Sequence, residues 1–166
     1  HHVGWWLCCC EIFVMTRSFA IMLAASGSAA LMLGALGFQY IGEMPPCKLC
    51  YWQRYPHVVA IVIGVLALFI SGRILPSLGA LAALATAGIG AYHTGVERDW
   101  WEGPTSCTSG SVADMSSTDL MAQIMAAPLV RCDDVPWELF TLSMASWNML
   151  ASLLLLAFWV LAIKRS

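Results

Sequence analysis

Read along the chain, apolar positions gather into four long blocks separated by short polar breaks and one long one. Ser18 to Tyr40 carries no charge, Leu49 to Ser71 has only Arg54 near its start, and Ile74 to His93 and Leu142 to Ile163 have none. A hydrocarbon core about 30 Å thick is crossed by about 20 apolar residues at a rise of about 1.5 Å each, so each block is long enough to span it as a helix. Thr94 to Thr141 is polar and holds most of the Asp and Glu. The expected fold is an all-α membrane protein: a four-transmembrane-helix bundle with spans at about 18–40, 49–71, 74–93 and 142–163. One long loop, 94–141, leaves it on the outer side.

Finer patterning adds detail. Small residues recur in the first and third spans (Gly27, Gly34, Gly37; Gly79, Gly88, Gly90), which lets helix backbones approach closely. Trp100, Trp101, Trp137 and Trp159 fall near span ends, as expected of an interfacial aromatic belt. In the long loop, Ser116-x-x-Asp119 reads as a helix start, and Leu120, Met121, Ile124 and Met125 then share a face. A short amphipathic helix is expected there, on the membrane surface or over the bundle's outer mouth. The first span is too long for the apolar region of a signal peptide. Met15-Thr16-Arg17 directly precedes it, so residues 1–14 are expected to be a non-native or read-through extension, with Cys8, Cys9 and Cys10 without a role and juxtamembrane palmitoylation as the alternative, and 15–166 to be the membrane domain.

Composition agrees with the pattern: 60% of the chain is apolar and 11% charged, against about 45–50% and about 25% in soluble domains. Eight Lys and Arg against ten Asp and Glu leave a net charge of −2, with no basic field to attract nucleic acid. Charge also orients the spans. Arg17, Arg73, Lys164 and Arg165 flank the ends shared by the termini, with only Glu11 opposing them. The other ends carry Lys48, Arg54, Arg98 and Arg131 among nine carboxylates. The expected topology has both termini in the cytoplasm and both loops outside.

Outside the first fourteen residues, four cysteines remain, all at the outer ends: Cys47, Cys50, Cys107 and Cys132. An even number facing an oxidising compartment indicates disulfides. A bond between Cys107 and Cys132 would close a polar loop, whereas Cys47-Lys48-Leu49-Cys50 is a C-x-x-C at the head of a helix. There the helix N-terminus and nearby cations, Lys48 and Arg54, favour thiolate over thiol. Pro45 and Pro46 stiffen the approach, and Pro56 is tolerated in the first turns or at a kink. Haem attachment needs His directly after the second cysteine, where Tyr51 stands, and the wide second spacing argues against a four-cysteine zinc site. Two purely structural disulfides stay open. A cation at the interface raises a functional hypothesis for Arg54, with snorkelling to lipid phosphates as its rival. His93 ends the third span and could face the same mouth. A dithiol, a cation and an imidazole at the membrane surface would suit a lipid-soluble two-electron acceptor, a quinone being the obvious one.

At these residues the chain resembles the DsbB family of bacterial inner membranes. The resemblance runs from about Met15 to Ser166 through CKLCYWQRYPH at 47–57, AYHTGVERDWWEGPTSCTSG at 91–110 and the stretch from Asp119 to Asn148 that contains LVRCDDVPW. It implies a disulfide-generating oxidoreductase that reoxidises a periplasmic thioredoxin-fold partner of the DsbA type and reduces ubiquinone or menaquinone, with no metal. The partner would attack a Cys107–Cys132 disulfide at Cys107, Cys132 would exchange with Cys47, and Cys50 would be freed beside the quinone. Arg54 matches the family's arginine and would stabilise that thiolate and the reduced quinone; His93, which matches less distinctively, would be a further quinone contact. An oxidase of that type stands at about −120 mV, so its reoxidation needs a still more oxidising sink. Two rivals are a vitamin K epoxide reductase-like quinone reductase, which usually carries its C-x-x-C near the end of the bundle, and a non-catalytic membrane assembly or transport subunit stapled by disulfides.

Overall fold

The computed structural model describes residues 16–104, 107, 116, 118, 121, 125 and 130–166. Four helices account for most of them: α1 (Arg17–Tyr40), α2 (Lys48–Phe69), α3 (Ile74–Glu97) and α4 (Met144–Lys164). At 21 to 24 residues each, they are about 31–36 Å long, and all four are apolar enough to cross a membrane. Leu33 at 69% exposure, Val62 at 54%, Leu81 at 62% and Leu154 at 58% put apolar side chains outward on every helix, an arrangement that water penalises and lipid does not.

Three of the helices begin at a side-chain cap. Thr16 Oγ1 accepts from Phe19 N at 3.3 Å, Ser143 Oγ from Ser146 N at 3.2 Å, and Cys47 Sγ from Cys50 N at 3.2 Å, each relieving one orphan N–H of a first turn. The cap on α2 is therefore a cysteine of the C-x-x-C. Pro56 lies inside α2 without ending it.

The helices pack as a ring, α3 between α2 and α4, and α1 closing the circle against α2 and α4. Close approach is set by small residues. A Cβ on Gly79 would lie 2.6 Å from the Trp159 ring, and one on Gly64 2.5 Å from Ala25 Cβ. Gly27 and Gly90 likewise meet Leu155 and the Ala145–Met149 turn, whereas Gly34, Gly37 and Gly88 have open space beside them. Trp159 departs from the interfacial belt expected of it: it is 0% exposed and fills the core against Gly79 of α3 and Gly64 of α2. The cleft that Gly79 leaves accepts its indole, a contact across two helices that proximity to a span end does not reveal.

At the end shared by the termini, Arg17 ties three elements together. Its guanidinium donates to Ala67 O at 2.9 Å, Ile70 O at 3.0 Å and Gly72 O at 3.3 Å, and its Nε to Ser166 Oγ at 2.9 Å. A cation at the C-terminus of α2 satisfies its orphan carbonyls and complements its dipole.

At the opposite end, α3 continues one turn beyond the expected span limit at His93, and the long loop starts at Arg98 rather than Thr94. Glu97, counted by sequence among the loop carboxylates, is instead on α3, 4% exposed at its side chain and accepting from Ser143 Oγ. A carboxylate reads as solvent-facing, but α4's N-cap supplies it a buried donor. A hairpin precedes α4: β1 (Glu138–Leu139) pairs antiparallel with β2 (Leu142–Ser143). Its two-residue turn holds Phe140 and Thr141 at φ of 52° and 62°, the left-handed geometry that tight hairpins require. The Ser116–Met125 helix and residues 1–14 lie largely or wholly outside the described residues.

Candidate functional site

The site is built where the outer end of α2 meets α3, α4 and the folded-back loop. Cys47 and Cys50 face each other across the first turn of α2, with the Cys47 thiol donating to Cys50 Sγ at 2.8 Å. That hydrogen bond and burial push the Cys47 thiol up, and Cys50 is the acceptor in the pair. Cys107 and Cys132, 25 residues apart, form a disulfide with a Cα–Cα distance of 5.4 Å. Cys132 N also donates to Cys107 O at 2.7 Å. At 1% and 0% exposure this disulfide is buried, and it packs in one cluster with Cys47, Leu49 and Val96, with Cys50 and Val130 at its edge. The four cysteines are thus gathered at one end of the bundle.

His93 lies between the two pairs. Its Nε2 is 3.1 Å from Cys132 O and 3.6 Å from Cys47 Sγ, and its Nδ1 is 2.8 Å from Gln53 Nε2. Gln53 Nε2 also donates to Leu49 O at 3.4 Å, so the amide nitrogen faces His93 and its Nδ1 must accept. Nε2 therefore carries the proton and donates to Cys132 O, pinning the disulfide loop to α3. Cys47, Cys50 and His93 bring three possible metal-ligand atoms, two sulfurs and one nitrogen, within 4.8 Å of one another. With the imidazole lone pair turned toward Gln53, the arrangement suits thiol exchange between neighbouring cysteine pairs better than ligation.

Beyond Gln53 the hydrogen bonds continue in one direction. Asn148 Nδ2 donates to Gln53 Oε1 at 2.8 Å and to Thr86 Oγ1 at 3.1 Å, leaving Asn148 Oδ1 to accept from His57 Nε2 at 2.9 Å. Thr86 Oγ1 donates to Gln53 O at 3.0 Å. This network links α2, α3 and α4 inside the bundle, where every polar group needs a partner.

A cavity of about 360 Å³ opens beside Cys50, within the range of about 300–1,000 Å³ that small-molecule sites occupy. α1, the hairpin and α4 line it with apolar groups, among them Leu31, Met32, Phe38, Trp137 and Trp147. Its polar lining is Cys50, Gln53, Arg54 and His57, one stripe of α2 at i, i+3, i+4 and i+7, together with Asn148. Arg54 donates to Gln39 Oε1 at 2.6 Å and Ala35 O at 3.3 Å, and its guanidinium lies 5.2 Å from the Tyr51 ring centroid. Among the described residues its hydrogen-bond acceptors are neutral oxygens of α1, so its charge stays available at the cavity. The other expected cation, Lys48, lies over Trp52 at 5.8 Å. Such a wall would fit a flat apolar ring with polar ring oxygens, with the Cys50 sulfur beside it. His93, paired in expectation with Arg54, does not line this cavity.

Sequence reasoning passed over Gln53, His57, Thr86, Asn148 and Glu97. The signal was present: each is a polar side chain in or at the end of a membrane span, which is costly and marks a buried partner. The i+3 and i+7 spacing from Cys50 puts Gln53 and His57 on its face.

The family model described as Disulfide bond formation protein DsbB matches residues 17–162. The chain is 32% identical over 147 residues to Disulfide bond formation protein B of Shewanella sp. (strain MR-4), covering 81% of each. It is 38% identical over 83 residues to the protein of that name from Herminiimonas arsenicoxydans, covering 48% of this chain and 52% of that one. Uncharacterized protein RP370 of Rickettsia prowazekii (strain Madrid E) is 26% identical over 124 residues, 72% of each. No solved structure matches the chain.

Proposed function

The chain belongs to the DsbB family, as a multi-pass membrane protein and disulfide-forming oxidoreductase, and from that premise we propose that it reoxidises a DsbA-like periplasmic partner and passes the electrons to a membrane quinone. The observation that carries the reading is the docking of one cysteine pair on the other: the Cys107–Cys132 disulfide packs against the Cys47–Cys50 dithiol, whose second cysteine borders an apolar cavity.

The chemistry follows from thiolate attack on a disulfide sulfur. With Cys47–Cys50 first oxidised to a disulfide by the acceptor, the partner's thiolate attacks Cys107 and frees Cys132, and Cys132 attacks Cys47 and frees Cys50 beside the acceptor. The partner's second thiolate then releases Cys107, which attacks Cys132 and returns the loop disulfide and the Cys47–Cys50 dithiol seen here. Because Cys107 is 1% exposed, the first attack requires its loop to lift from α3, breaking the His93 Nε2 to Cys132 O bond. With the loop docked, the same imidazole holds Cys132 beside Cys47 for the exchange. A bound quinone supplies a sink for two electrons and two protons. Arg54, which lines the cavity with Cys50, would supply a guanidinium for the ring oxygens, and the apolar walls would exclude water. Both termini are assigned to the cytoplasm and both cysteine pairs to the periplasmic side of a bacterial inner membrane.

An anaerobic titration tests the reading directly: each equivalent of reduced DsbA-like protein is expected to convert one equivalent of quinone to quinol, followed by absorbance. No quinol formed over many equivalents of dithiol rejects it.

Arg54→Ala is expected to raise the quinone KM about 10-fold or more, the cost of removing a charge-assisted hydrogen bond, with helical content unchanged. Arg54→Lys, which keeps the charge but not the fork, should fall between. An unchanged KM in both variants would leave Arg54 as a tether between α2 and α1.

A further inference from the structure

His57 lies on the Cys50 and Arg54 face of α2, three residues beyond the arginine, and so lines the cavity about 4.5 Å farther along the helix axis. Its ring is 3% exposed, and its two nitrogens have opposite fates. Nε2 is 2.9 Å from Asn148 Oδ1 and 3.2 Å from Thr86 Oγ1. Asn148 cannot turn round without losing its Nδ2 bonds to Gln53 Oε1 and Thr86 Oγ1, and Gln53 is held by Leu49 O and His93 Nδ1. Asn148 Oδ1 therefore needs a donor, and Nε2 carries the hydrogen. In the neutral ring Nδ1 is then an acceptor only, and it is buried with no hydrogen-bond partner. A buried acceptor without a donor is unfavourable and uncommon.

The missing donor has a definite chemistry. A quinone offers two carbonyl oxygens, both acceptors, whereas its quinol offers two hydroxyls. We propose that His57 makes the cavity discriminate between these redox forms: Nδ1 accepts a hydrogen bond from a quinol hydroxyl and has none to give a quinone carbonyl. The inference rests on the quinone reading above. Oxidation of the Cys47–Cys50 dithiol breaks two S–H bonds and forms one S–S bond. Two electrons and two protons go to the acceptor, whose two ring carbonyls become two hydroxyls, and His57 begins and ends neutral. Holding the product ring more tightly than the substrate ring pulls electrons from the dithiol. Asn148 is the positioning residue, because it sets which imidazole nitrogen is free.

The test compares binding of a short-chain ubiquinone and its quinol to the purified full-length protein in a Cys50→Ser background, where electron transfer between dithiol and ring is blocked. Quenching of Trp137 and Trp147, which line the cavity, reports both. His57→Leu is expected to weaken quinol binding about 10-fold while quinone binding holds or improves. His57→Asn, which keeps a short-armed carbonyl acceptor, should retain most of the quinol preference. His57→Met gives the same comparison as Leu with a more adaptable side chain, should the Leu variant fail to fold. Parallel weakening of both forms, or no change in either, would overturn the proposal and leave His57 as part of the wall. If neither form binds the protein before His57 is changed, the quinone reading itself fails and this inference with it.

Discussion

Cys50→Ser is expected to lower quinone-dependent oxidation of a DsbA-like protein by about 10⁴-fold or more, the scale on which removing a nucleophile from a catalytic unit acts. Cys50 is the member of the C-x-x-C that borders the cavity, and it accepts a hydrogen bond from the Cys47 thiol at 2.8 Å. A serine oxygen cannot join an S–S bond or surrender a thiol's electrons, so dithiol and acceptor are disconnected at that atom. The helix start survives, because the cap is Cys47 Sγ rather than Cys50 Sγ. The Cys107–Cys132 disulfide should also persist, which thiol alkylation and mass measurement would check. Quinol production near the unmodified rate would sink the relay and favour a membrane subunit whose disulfides only staple its loops.

Cys132→Ser is expected to cause a comparably large loss toward the protein partner and to spare oxidation of a small dithiol such as dithiothreitol. The proposed relay divides the work between two pairs. The loop pair is joined and pinned to α3 through Cys132 O, whereas the helix pair reaches the cavity through Cys50. Without Cys132 the partner has no disulfide to attack at Cys107, but a small dithiol can still reduce a Cys47–Cys50 disulfide that the quinone then regenerates. The His93 bond is to a backbone oxygen and does not depend on the Cys132 side chain. Paired rate measurements with the two dithiols read the division. Undiminished oxidation of the protein partner would mean that electrons enter at Cys47–Cys50 directly and that the loop disulfide only holds the loop.

The four spans were legible because membrane crossing is a one-dimensional property: length, absence of charge and rise per residue settle it locally. The same holds for the C-x-x-C at a helix head, for the oxidised pair expected in the loop, and for Arg54 four residues past Cys50. Glu97 and Trp159 were misplaced because charge and aromaticity were read from their position in the chain. Their surroundings come from other helices: Ser143 bonds the carboxylate, and Gly79 makes room for the indole. His93 was grouped with Arg54 because both sit near the outer mouth. They lie on different helices, and the α3 imidazole points between the cysteine pairs while the α2 guanidinium lines the cavity.

Sequence alone was sufficient for a charge-poor, four-span bundle with its two cysteine pairs at one end, since hydrophobic length and motif spacing act along the chain. It could not order the interior. The line of donors from His57 through Asn148 and Gln53 to His93 draws on three helices and a folded-back loop. Each amide and imidazole takes its orientation from the next, so the unpaired Nδ1 of His57 exists only once all of them are packed.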